Sequence, residues 1–218
     1  MSRPRFQLLP FALAALLVAG PGCRTVPPKD YTLLREHLPK SILVLPPLNE
    51  STAVEATYGY LAAVTRPLAE LGYYVFPVAV VDQFLKENGL PTAGEMHQIP
   101  LKKVDEILGA DSVLYLTVTQ YGSKYQVVNS KTVVWAKAKL VDTRSGLLLW
   151  EGQGGAESNS GGSGNLIGDL ITAAITQAVN SSTDQAHNVA PVATALLFTT
   201  KDQGLLIGPR HPEFGKPK

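Results

Sequence analysis

The chain has 218 residues, 45% of them hydrophobic, with a formal net charge of +1. That is enough apolar material for one sizeable core, and it excludes disorder throughout. Removing Arg3 and Arg5, which belong to the leader described next, leaves 17 basic residues against 18 acidic ones, so the electrostatic footprint of a nucleic-acid binder is absent and no nucleic-acid partner is expected.

Residues 1–22 read as a signal peptide. Arg3 and Arg5 form the basic end, Phe11 to Ala19 the apolar run, and Gly20-Pro21-Gly22 the small-residue stretch before Cys23. A membrane-spanning helix needs about 20 apolar residues, and this run is about half that length. The ending resembles a bacterial lipobox, in which the cysteine thiol receives a diacylglyceryl group and becomes the first mature residue. Two positions depart from it, Gly20 where Leu is usual and Pro21 beside it. An ordinary secretory signal is the competing reading. Cys23 is the single cysteine, so neither an internal disulfide nor a thiolate metal site can form. Lipidation at Cys23 is the expectation, and two or three acyl chains such as palmitate hold a protein on a bilayer where one short chain does not. Arg24 follows the cysteine in place of the Asp that retains lipoproteins at the inner membrane. The expected location is therefore the periplasmic face of the outer membrane.

Residues 23–39, with Pro27, Pro28 and Pro39, read as an extended lipidated tether with one turn at Tyr31–His37. A single α/β domain is expected over 40–200. Its first strand is Ser41-Ile42-Leu43-Val44-Leu45, ended by Pro46-Pro47, which cannot continue a ladder. Asn49-Glu50-Ser51-Thr52 offers a helix start, and Val54, Tyr58, Leu61, Thr65 and Leu68 make one apolar face, with Pro67 predicted to kink the helix or restart it by a turn and Gly72 to end it. Tyr73 to Val78 reads as a strand near a sheet edge. Two further helices follow, the first carrying Val80, Val81, Phe84 and Leu85, and the second starting at Pro100 and ending at Gly109.

Ser112 to Gln120, rich in Val, Leu, Tyr and Thr, reads as the central strand. Beyond it the period changes to two. Tyr125 and Val127 in one run, with Val133 and Trp135 in the next, predict a hairpin through Asn129-Ser130-Lys131, and a turn at Asp142–Gly146 leads to a strand over 147–151. The expected fold is thus α/β (α+β), a mixed sheet with helices packed on it. Gly152 to Gly164 reads as a mobile Gly/Ser connector. It is followed by a helical stripe from Leu166 to Ala178 and a helix over 183–198 interrupted at Pro191. The tail, 201–218, is expected to be flexible.

Chemistry-bearing constellations are scarce. The loop Ser158–Asn165 lacks the lysine and spacing of a phosphate-binding loop. His37, His97, His187 and His211 have no paired ligand spacing, so no metal and no cofactor are expected. Neither a Gly-x-Ser-x-Gly elbow nor a His-Glu-x-x-His helix occurs, and no catalytic residue is assigned. Tyr58, Tyr60, Tyr73, Tyr74, Tyr115, Tyr121 and Tyr125 suit either packing or an interaction face. Lys137 and Lys139 read as solubilising charges at a sheet edge.

Ser41 to Pro47, Gly72-Tyr73-Tyr74-Val75, Gly109-Ala110-Asp111 and Leu149-Trp150 together resemble bacterial lipoproteins grouped as domain of unknown function 799, over roughly residues 40–200. The resemblance implies a fold like the N-terminal domain of TolB, shared with the curli secretion channel lipoprotein and the Pel polysaccharide lipoprotein, and no catalytic residues. It implies an accessory role in the cell envelope. The functional expectation is a non-catalytic subunit or adaptor of an envelope assembly or export system. Its partners would be the membrane through Cys23 and envelope proteins, a curli-channel-like lipoprotein or a second copy among them. The alternative is a periplasmic hydrolase acting on wall or glycan material through carboxylates such as Asp111 or Asp142.

Overall fold

The structure is a computed structural model that describes residues 27–125, 130–159 and 185–216. Its described strands join one mixed sheet in the order β3 (Tyr74–Val75), β1 (Ser41–Val44), β4 (Ser112–Tyr125), β5 (Ser130–Asp142), β6 (Leu148–Asn159). A two-residue strand, β2 (Leu48–Asn49), pairs with β4 off this path. Strand β1 runs parallel to β3 and β4, whereas β4, β5 and β6 form an antiparallel meander. The helix-connected half and the hairpin-connected half of the expected sheet are both present, with Ser112–Gln120 at its centre.

The two faces follow from strand alternation. Ile42, Val44, Leu114, Leu116, Ala136, Ala138 and Leu140 point to a first core. It is shared with α1 (Thr32–Glu36), α2 (Ala56–Glu70) and, beyond the undescribed 160–184, α6 (Gln185–Thr199). Leu43, Leu45 and Val113 point the other way, into a second core with Val81 and Leu85 of α3 (Val78–Glu87), Met96 of α4 (Ala93–Met96) and Val104 of α5 (Leu101–Leu108). A shift in register leaves Thr119 unpaired between Val118 and Gln120. This bulge changes the phase of the strand, so Tyr121 returns to the same core as Val118.

Helix ends are read from local chemistry. Thr92 accepts from the Glu95 N–H at 3.3 Å while the Glu95 carboxylate accepts from the Thr92 N–H at 3.0 Å, a reciprocal cap that starts α4. Gly109, at φ +64°, lets α5 stop in the left-handed conformation and turn into β4.

Several expectations are corrected. The helix start read at Asn49–Thr52 is a turn: the Asn49 side chain accepts from the Ser51 N–H at 2.8 Å and donates to the Ala53 carbonyl at 2.7 Å, and α2 begins at Ala56. Neither Pro67 restarts its helix nor Pro191 interrupts its own: both lie inside continuous helices, because burial of the helix against the first core outweighs one lost hydrogen bond at each. Residues 27–39 do not hang free. Leu34 is fully buried, and Tyr31 donates its hydroxyl to the Gly204 carbonyl at 2.6 Å.

The tail is docked as well. Gly208 and Arg210 donate their N–H groups to the carbonyls of Leu71 and Gly72 at 2.7 and 3.0 Å, and Tyr73 donates its hydroxyl to the Leu206 carbonyl at 2.7 Å. Gly152 to Asn159, read as a mobile connector, continues β6 instead. Composition misled there because these glycines serve packing: a Cβ on Gly154 would lie 3.0 Å from Leu197 Cα of α6, and one on Gly155 would enter the Trp135 ring. The stripe from Leu166 to Ala178 lies outside the described residues.

Candidate functional site: the open end of the meander

The helices of the second core arrive between β3 and β4, and they cover only the β1 and β4 side of the sheet. No residue of β5 or β6 contributes to that core. Among the described residues nothing covers the same face of the meander. It carries Trp135, Lys137 and Lys139 on β5, and opposite them in register Gly155, Gln153 and Glu151 on β6. Trp135 is 40% exposed, a large apolar area for a side chain in mid-strand.

Lys137 and Lys139 are thus not edge charges. They sit on the strand next to the edge, and neither has an ion-pair partner among the described residues. Lys131, at the far end of β5, pairs with Glu157 across the strands at 2.8 Å.

A cleft of about 650 Å³ wraps the outer side of β6. Trp135, Lys137 and Lys139 form one wall, and Leu196, Leu197, Thr200 and Gln203, from α6 and the turn after it, form the other. Side chains from opposite faces of the sheet meet in one cleft only where the sheet ends.

Lys29 lines the cleft too and locates the N-terminal segment. Its N–H donates to the Asp202 carbonyl at 3.2 Å, its ammonium lies 5.2 Å from the centre of the Trp150 ring, and Gln203 donates to the Pro27 carbonyl at 2.9 Å. Partial burial pulls the Lys29 amine below its ordinary pKa, and Glu151 nearby opposes that. Trp150 completes the corner by donating its indole N–H to the Gln203 carbonyl at 3.0 Å.

The other residues singled out from sequence are dispersed. Cys23 lies outside the described residues. Asp111 and Asp142 are committed to strand ends. Asp111 Oδ2 accepts from the N–H groups of Lys40 and Ser41 at 3.0 and 3.1 Å, and Asp142 Oδ1 accepts from the N–H groups of Arg144 and Ser145 at 3.1 and 2.7 Å. Burial raises the Asp142 pKa, but the bonds from Ser145 and Arg144 outweigh it and hold the carboxyl below its ordinary value.

His97 donates Nε2–H to the Pro46 carbonyl at 2.9 Å and meets Tyr115 edge to face at 5.3 Å. His211 accepts the Glu213 N–H at 3.1 Å. Among the described residues no three His, Cys, Asp or Glu side chains gather as a metal site, and no helix is long and apolar enough to cross a membrane.

The tyrosines divide between packing and surface. Tyr60, Tyr73 and Tyr121 are buried, while Tyr58 and Tyr74 are exposed on different elements, each beneath a cation, Lys86 at 5.0 Å and Arg210 at 5.1 Å. The Lys86 amine is pushed up to about 12 by hydrogen bonds to Asp82 and Tyr58. No single tyrosine face exists among the described residues.

The candidate feature that sequence reasoning missed is the edge itself. The period-two run that predicts β6 up to Glu151 continues through Gly152 to Asn159 once the glycines are counted as strand.

Residues 29–210 match the family model "Putative lipoprotein GNA1162-like". The chain is 45% identical over 206 residues to "Putative lipoprotein NMB1124/NMB1162" of Neisseria meningitidis serogroup B, covering 92% of this chain and 94% of that one. It is also similar to the crystal structure of lipoprotein GNA1162 from Neisseria meningitidis, at 49% identity and a TM-score of 0.55, covering 66% of this chain and all of that one. A PelC dodecamer from Paraburkholderia phytofirmans is similar at 14% identity and a TM-score of 0.42, covering 72% of this chain and 83% of that one. The chain belongs to the GNA1162-like lipoprotein family.

Proposed function

We propose that this lipoprotein is held at Cys23 on the periplasmic face of the outer membrane and acts by binding, as a non-catalytic subunit or adaptor of a cell-envelope assembly or export system. One observation carries the reading. Among the described residues, the uncovered half of the sheet ends in an open strand beside the point where the N-terminal segment joins the domain. Lys29 lies six positions after Cys23, a span of roughly 20 Å when extended. An acylated Cys23 would therefore keep the cleft close to the bilayer, where envelope partners are concentrated. A curli-channel-like lipoprotein is a candidate partner on family resemblance, and a second copy is the other.

The test is extraction from the native envelope in mild detergent, followed by mass measurement of the purified complex. Stable co-purification with an envelope protein, without turnover of wall or glycan substrates, is the expected result. A lone monomer that turns over such a substrate, with activity lost in Asp142→Asn, would overturn the adaptor reading.

A further inference from the structure

Strand β6 has twelve residues with neither Pro nor Lys. Among the described residues it pairs with β5 alone, and no backbone hydrogen bond is made on its outer side. Long edges of this kind are normally shortened, charged, bulged or covered. The opposite edge shows the usual protection, because β3 has only two residues and Pro77 follows closely. Apart from a bulge at Leu149 and the charges of Glu151 and Glu157, nothing among the described residues covers this edge, so the ladder from Trp150 onward is a pairing template, and its cleft offers a wall to each face of an incoming strand.

The walls specify what fits. Side chains on one face of an added strand would meet Leu196 and Leu197 of α6, while those on the other would lie over Gln153 and Gly155, within reach of Lys137 and Lys139. Among the described residues, and counting Lys29, three ammonium groups line the cleft against the one carboxylate of Glu151. A second copy is a poorer fit. Antiparallel pairing of two β6 strands about Gly154 would set Glu151 opposite Glu157, and like charges directly opposite are destabilising.

Resting on the adaptor reading, we propose that the outer edge of β6 receives an added strand from a partner protein, an extended segment of alternating apolar and acidic residues. Main-chain hydrogen bonds would supply affinity and the two walls the specificity. The apolar side chains would pack toward α6, and the carboxylates would pair with Lys137 and Lys139.

The full-length lipoprotein in detergent is titrated with an acetylated peptide of about ten residues alternating Glu and Val. Alternating Lys and Val, and the Glu-Val peptide N-methylated on every second residue, serve as controls. Amide hydrogen exchange over residues 148–159 and tryptophan fluorescence report binding. The expected result is slowed exchange in β6 with the Glu-Val peptide and binding at least about tenfold tighter than the Lys-Val peptide. N-methylation on the pairing edge should abolish binding, and Lys137→Glu with Lys139→Glu should invert the preference for charge. Both lysines are exposed, so the double variant keeps the fold.

Absent protection in β6, equal affinity for the two peptides, or indifference to N-methylation would overturn the proposal. So would protection that appears without peptide and grows with protein concentration, which would assign the edge to a second copy. Lysine-dependent binding to phosphatidylglycerol vesicles in place of the Glu-Val peptide would also overturn it. If the native complex survives the double variant unchanged, the adaptor reading stands and the strand-addition proposal falls.

Discussion

Ser41 and Asp111 hold each other from two directions. Asp111 Oδ2 accepts from the Ser41 N–H at 3.1 Å and from its hydroxyl at 3.0 Å, and the same hydroxyl accepts the Asp111 N–H at 3.0 Å. The pair clamps the start of β1 to the start of β4, where the parallel pairing of Ile42 with Ser112 begins. Asp111→Ala removes the acceptor for several N–H and O–H donors at once and is expected to cost about 1–3 kcal/mol. Urea unfolding followed by far-UV circular dichroism checks this, and a midpoint equal to that of the parent protein would contradict the clamp.

Leu114 and Leu116 are fully buried on β4. Truncation of either to Ala leaves a cavity that the surrounding helices and strands fill only in part, at an expected cost of about 2–5 kcal/mol. Thermal or chemical melts of both variants measure it. A loss under about 1 kcal/mol at both positions would be incompatible with a fully buried strand.

His97 gives the fold a pH dependence of definite sign. Burial lowers its pKa from the ordinary 6.5, and the bond to Pro46 opposes that only in part. The unfolded chain therefore binds the proton at a higher pH than the folded one does. The contribution is complete above 6.5 and declines as pH falls from there toward the folded value. Stability measured from pH 8 down to about 5 should fall less steeply in His97→Gln than in the parent. Parallel curves would show that His97 does not carry the effect.

Cys23 is expected to be the first residue of the mature chain and to carry acyl groups. Intact mass and peptide mapping of the protein from its native membrane decide this. Cys23→Ser should release the domain into the soluble periplasmic fraction, because removing the acyl chains removes an anchor of about 0.8 kcal/mol per buried methylene. An unmodified Cys23 in the native protein would show that the Gly20-Pro21 departure defeats processing.

The sequence by itself determined the elements whose signal is local. Val, Leu and Thr in Ser112–Gln120 marked a buried strand, Gly109 marked a helix end, and Asp142–Gly146 marked a turn, since each depends on side-chain periodicity or on one backbone conformation. It also carried the expectation of a leader before the unique cysteine, a reading that needs no tertiary context.

What only the tertiary structure decided is the environment of those elements. Gly152–Asn159 is strand because β5 pairs with it and α6 packs against its glycines, a reason that lies far along the chain. The bulge at Thr119 depends on the register between β4 and β5, and no local signal announces it. Lys137 and Lys139 look like edge charges until the order β4, β5, β6 places them one strand inward, on a face that no described element covers because α3, α4 and α5 enter the sheet elsewhere. The N-terminal segment and the tail read as loose from their prolines, but the structure packs both against the domain. The cleft follows from that arrangement, for Lys29, Lys137 and Leu197 meet at one sheet edge only after the chain has folded.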